Sequence, residues 1–179
     1  WNLDTYQLKY LWQPFKWLGK QMLWLESLPS QLFLVAMIVL GVMIELEYVF
    51  VLSDISQYMP VLYAALSLFC ILAALASRGN PMRAWWKIVI SQLLIVIGVS
   101  LNVHVESAHV WIYLSTTISA AVLGMFCLHN TYHIDKDINL NQYHGYVQER
   151  PDLAIIFLIC CMALVGFPFT PTFIAIDLM

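Results

Sequence analysis

Charge is what this sequence lacks. Charged residues make up 11% of the chain, against roughly 25% in a soluble domain. Folded in water, the chain would have too little polar surface to cover its core, so the expected solvent is a lipid bilayer. Basic residues are the scarcer sign: eight Lys and Arg stand against eleven Asp and Glu, for a net charge of −3. That balance argues against a nucleic-acid partner. Cysteine is nearly absent as a framework. Cys70, Cys127, Cys160 and Cys161 all sit in apolar runs, with no C-x-x-C pair, which argues against a structural disulfide set or a zinc site. No nucleotide, flavin or iron–sulfur motif occurs, so no cofactor is expected and any redox chemistry would belong to another chain. No repeat, low-complexity stretch or signal-peptide pattern is found. The chain opens on Trp1 without an initiator methionine and closes just after an apolar run, at Asp177-Leu178-Met179. It reads as a piece of a longer membrane protein.

What is present is apolar sequence in long blocks. Hydrophobic residues make up 61% of the chain, and mean hydropathy is +0.77. About 20 apolar residues carry a helix across ~30 Å of hydrocarbon. Backbone groups there must be satisfied within the segment, so such runs are helical. The blocks predict an all-α, polytopic membrane protein with about five transmembrane helices, near 31–52, 60–77, 85–103, 108–128 and 153–177. Residues 1–29 hold Trp1, Trp12, Trp17 and Trp24 with Lys9, Lys16 and Lys20. This stretch reads as an interfacial amphipathic segment or a truncated span, ahead of a helical transmembrane domain over 30–179.

The few basic residues are not scattered. Lys9, Lys16 and Lys20 precede the first long run; Arg78, Arg83 and Lys87 fall between the second and third; Lys136 and Arg150 fall between the fourth and fifth. The gaps around 53–59 and 103–108 hold none. Lys and Arg concentrate on the cytoplasmic side of membrane proteins. The expected place is therefore the cytoplasmic (inner) membrane, with the N-terminus cytoplasmic and no lysine or arginine deep in a span.

Ionisable and polar groups within spans are costly and mark functional candidates. Glu45 and Glu47 lie in the outer half of the first span. At i,i+2 they project from different faces and do not form a carboxylate pair. Glu45 is either a proton-handling group or a group bonded to a neighbouring helix. His109, Tyr113, Thr117 and Ala121 recur at i+4 steps along the fourth span, with Ser115, Thr116 and Ser119 around the same helix. Such a stripe can hold water and pass protons, or serve as helix–helix glue. Gln92 in the third span needs a hydrogen-bond partner. His104 and Glu106 read as solvated loop residues. His129 and His133 at i,i+4, with Asp135 and His144 nearby, have a spacing open to a metal or to a hydrated helix end. Gly166, Pro168 and Pro171 should break the fifth helix, because each proline removes a hydrogen bond and clashes with the preceding turn. Broken membrane helices are tolerated where they line a cavity or bury against protein.

Taken in order, these pieces resemble one family over residues 60–177: the proton-conducting, antiporter-like membrane subunits of NADH:quinone oxidoreductase and of multisubunit Na+/H+ antiporters. An apolar helix, Leu62 to Ala76, leads through a basic turn, Arg78 to Lys87, to Ile90-Ser91-Gln92, where the family carries a Ser-x-Ser-Gln-like element. The family's His-x3-His-x3-Lys stripe is matched by His109-x3-Tyr113-x3-Thr117, ending at His129. Asp137-Ile138, Gly145 and Pro151 follow. The helix break is Leu164-Val165-Gly166-Phe167-Pro168, then Thr172 to Asp177.

The resemblance implies a proton- or cation-translocating subunit working with other membrane subunits. The host would be a respiratory dehydrogenase, a cation/proton antiporter or a bicarbonate-uptake complex. It would place His109, Tyr113, Thr117 and Gln92 on the proton path, with Glu45 as a second titratable stop. The departures bear on mechanism. Thr117 and Ile176 stand where the family has buried lysines, and Tyr113 where it has a second histidine. Only His109 remains titratable in the stripe. Two other readings stay open: a divergent scaffold subunit that does not conduct, and an unrelated membrane metalloenzyme built on His129, His133, His144 and Asp135.

Overall fold

A computed structural model of the chain describes residues 10, 13–21, 28–46, 57–77, 79–102, 107–136, 138 and 145–178. These residues are helical, with turns between. In chain order the helices are α1 (Gln13–Gln21), α2 (Leu28–Glu45), α3 (Met59–Ala76), α4 (Pro81–Asn102), α5 (Ser107–Asp135), α6 (Tyr146–Glu149), α7 (Pro151–Val165) and α8 (Pro171–Leu178). Proline sets several of the starts. It lies in the first two positions of α3 and α7, and α4 and α8 open on Pro81 and Pro171. Its fixed φ suits the first turn and its missing N–H costs nothing there. Asn80 caps α4 by accepting the Arg83 backbone N–H at 3.4 Å.

Among the described residues, three helices are long and apolar enough to cross a membrane by length and composition: Met59–Ala76, Pro81–Leu101 and Ala108–Ile134. They mark the chain as a membrane protein. Five such spans were expected. The other two segments are shorter apolar helices, Gln31–Glu45 and Pro151–Val165. The last is short because α7 stops at Gly166. The described part of α2 ends at residue 46, so the remainder of the expected first span, with Glu47, lies outside the described residues. The surface fits lipid contact. Ile118, Val122, Phe126, Leu158 and Val165 are all exposed, far more apolar surface than a soluble monomer tolerates.

Side-chain contacts fix an up-and-down bundle. Tyr63 meets Gly98 and Lys87 meets Ala73, so α3 and α4 run antiparallel. The Trp85 indole N–H donates to the Ala121 carbonyl at 3.0 Å and Tyr113 donates to Gln92, so α4 and α5 are antiparallel too. Gly41 faces Ile97 while Gln31 and Lys87 share a cavity, which makes α2 and α4 parallel. The core divides in two. One part gathers Leu34, Tyr63, Leu94, Tyr113 and Ala175; the other gathers Trp85, Val89, Ala120, Ala121, Cys160 and Leu164. Arg83, Lys87, Lys136 and Arg150 consequently fall towards one end of the bundle. Of the expected segment 1–29, the structure describes Tyr10, α1 and the first residues of α2, and α1 packs on α3.

Two boundaries differ from the sequence reading. α4 begins at Pro81 rather than 85, which draws Arg83 into the helix and sets Lys87 well inside it. α5 runs on to Asp135 rather than 128, so His129 and His133 stand on the helix itself. Mean apolarity locates the centre of a span, but polar residues at its ends leave the helical backbone intact.

Candidate functional site

α5 has no amphipathic stripe, so its buried side is set by its neighbours. The side that faces α4 and α8 is the one carrying Tyr113, Thr117 and Ala121. Tyr113 is 5% exposed and Thr117 1% exposed. The Tyr113 hydroxyl donates to Gln92 Oε1 at 2.8 Å. This answers the need of each group: a phenol and a carboxamide, both in a membrane-length helix, satisfy one another across the α4–α5 interface. Thr117 sits one turn along. No hydrogen bond of good geometry reaches its hydroxyl among the described residues. His109, partly exposed, lies one turn before Tyr113. Ser115, Thr116 and Ser119 point elsewhere. They donate to Ile112, Ile112 and Ser115 carbonyls at 2.9, 3.0 and 2.7 Å, the local back-bonding open to hydroxyls in helices.

The helix break lies against this stripe. Gly166 adopts the left-handed conformation, φ 72° and ψ 47°, and caps α7. The Phe167 N–H reaches back to the Met162 carbonyl at 3.0 Å and the Gly166 N–H to Ala163 at 3.3 Å, which closes α7 as a Schellman end. Pro168 lies in the turn and Pro171 starts α8. Two buried hydroxyls stitch the halves together. Thr170 donates to the Phe167 carbonyl at 2.7 Å and Thr172 to the Ala163 carbonyl at 2.6 Å, with 2.8 Å between the two hydroxyl oxygens. Two hydroxyl hydrogens serve three contacts, so one contact lacks a proton at any moment. α8 then packs on α5, and its Ala175, fully buried, joins the cluster that holds Tyr113.

Other candidates stand apart. Glu45 is exposed at the end of α2, whose main partner here is α4. Ile176 is half exposed, and its Cδ1 lies 2.7 Å from where a Cβ on Gly166 would be. His129 and His133 meet edge to face with ring centres 4.4 Å apart. Both are exposed, and the described residues contain no group of three or more His, Cys, Asp or Glu able to hold a metal. His104, Glu106 and His144 lie outside the described residues.

Sequence reading missed Lys87. Assigned to a gap, it stands six residues inside α4, ~9 Å along at 1.5 Å per residue. It is 8% exposed. Its ammonium donates to the Ala73 carbonyl at 3.4 Å and to Ser77 Oγ. Ser77 is the C-cap of α3, so a cation on α4 meets the negative end of the α3 dipole. The available signal was the i+4 phase of Arg83, Lys87 and Ser91 along one helix, which the apolar-run boundary concealed.

Comparison of the chain with protein-family models, with curated proteins and with solved structures gave no match.

Proposed function

We propose that the chain is part of a proton- or cation-translocating, antiporter-type membrane subunit of a larger complex in the cytoplasmic membrane, N-terminus inside. The observation that carries this reading is the Tyr113–Gln92 hydrogen bond, with the buried Thr117 hydroxyl next to it and a broken helix packed alongside. Polar groups inside a membrane bundle are expensive and gather on ion paths. Broken helices are common there as well. In this reading His109 takes up or releases the proton at one end of the stripe. Tyr113, Gln92 and Thr117 hold the water that carries it onward. Glu45 is a separate titratable stop and does not share the stripe.

The test is proton flux in liposomes loaded with a pH-sensitive dye. His109→Ala and Gln92→Leu should each slow flux by about tenfold, the effect of ~1.4 kcal/mol on a barrier. Unchanged flux in His109→Ala and Glu45→Gln together would remove these residues from the path. It would leave the second reading, a non-conducting scaffold, which the replacement of the family's lysines by Thr117 and by the half-exposed Ile176 favours. A stability measurement goes with it. Tyr113→Phe should cost only about 0.6 kcal/mol, the average for interhelical hydrogen bonds in membranes, so a loss of flux in that variant reports on the path and not on folding.

A further inference from the structure

A cavity lies away from this stripe, towards the basic end of the bundle. It measures about 360 Å³ and is lined by Gln31, Leu34 and Val35 of α2, Cys70 of α3, and Arg83, Trp86, Lys87 and Ile90 of α4. Its size falls within the ~300–1,000 Å³ of small-molecule sites. The lining follows helical phase. Residues 83, 86, 87 and 90 are i, i+3, i+4 and i+7, and residues 31, 34 and 35 are i, i+3 and i+4, so each helix turns one face to the space.

That lining is graded along the bundle axis. Arg83, Lys87 and Gln31 come first from the basic end, and Leu34, Val35 and Ile90 follow further in. Trp86 is 55% exposed at the rim, the interfacial place where tryptophan concentrates. Among the described lining residues none is acidic. A ligand with negative charge at one end and hydrocarbon at the other matches this gradation. A soluble anion would leave the inner apolar wall bare.

We propose that this cavity holds the headgroup and first acyl carbons of an anionic phospholipid from the leaflet at the basic end of the bundle. Basic pockets between membrane helices on that side are suited to such headgroups. Arg83, with its planar fork of donors, grips the phosphate. Lys87, fixed from below by Ser77 and the Ala73 carbonyl, adds a positioned charge. Trp86 covers the glycerol region. The lipid thereby joins α2 to α4 at the end opposite to the Gly41–Ile97 contact. This assignment stands independently of whether the chain conducts protons.

The experiment is native mass spectrometry of the purified protein, delipidated and then given phosphatidylglycerol or phosphatidylcholine at equal concentration. One phosphatidylglycerol should be retained in preference to phosphatidylcholine. Arg83→Gln should reduce its retention about five-fold, the effect of one basic residue at an anionic surface. Trp86→Ala should weaken it as well. Lys136→Gln, an exposed basic residue outside the cavity, should leave it unchanged. Lys87 also caps α3, so Arg83→Gln, which leaves that cap intact, decides the matter. Equal retention of the two lipids, unchanged retention in Arg83→Gln, or an equal loss in Lys136→Gln would overturn the proposal. So would displacement by soluble glycerol phosphate at the concentration of the lipid, which would make the ligand a free phosphate.

Discussion

Tyr63→Ala should destabilise the fold by about 3 kcal/mol, the low end of the range for truncating a buried aromatic. Tyr63 is fully buried, and α2 and α4 are shaped around it. Its hydroxyl donates to the Met37 carbonyl at 2.8 Å. Two glycines make room for it. A Cβ on Gly41 would stand 2.7 Å from the Tyr63 hydroxyl, and a Cβ on Gly98 would stand 3.2 Å from the Tyr63 Cβ. Small residues let membrane helices approach closely; here the space is given to a third helix's side chain. The low end of the range applies because in the membrane an unpacked side chain rests in lipid and not in water, so little of the usual transfer term remains. What remains is the lost dispersion contact around an unfilled space. Tyr63→Phe keeps the packing and loses only the hydrogen bond, and should cost about 0.6 kcal/mol. Unfolding by SDS titration in mixed micelles would measure both. Equal costs for Ala and Phe would mean that the hydrogen bond, not the packing, holds the three helices.

Gly124→Ala is the second large effect, expected to cost about 1–3 kcal/mol by overpacking. A Cβ at Gly124 would collide with the Trp85 indole, with Cε2 and Cη2 each 2.7 Å away. The indole has no easy retreat. Its N–H is held by the Ala121 carbonyl at 3.0 Å, and its ring packs against Phe157, with centroids 5.2 Å apart. One methyl group thus loosens the α4–α5–α7 junction. A smaller ring gives the test its control. In a Trp85→Phe background the Gly124→Ala penalty should fall to less than half, since groups in contact are non-additive. The same micelle titration reads this. Full additivity would show that the penalty does not arise at the indole.

The positions of the candidate residues were legible to different depths. The i+4 spacing put Tyr113 and Thr117 on one face of α5, because the helical period is a local property. That Gln92 would be the partner of Tyr113 was not legible. Their sequence separation is 21, and only the antiparallel packing of α4 on α5 sets the register that joins them. Lys87 shows the converse. Hydropathy is an average over a window, and a lysine near the end of a window reads as loop. In the fold a neighbouring helix end offers its ammonium a carbonyl and a hydroxyl, which meets part of the cost of burial.

Scarcity of charge, the apolar blocks and the proline and glycine punctuation determined by themselves that this chain is helical and belongs in a membrane. Each follows from local chemistry: the cost of exposing backbone to lipid, and the φ that proline imposes. Tertiary structure alone decided which polar groups meet. In apolar helices no amphipathic face dictates rotation, so the inward face is chosen by fit: Tyr63 between Gly41 and Gly98, Trp85 against Gly124, Tyr113 against Gln92, and Lys87 under the end of α3.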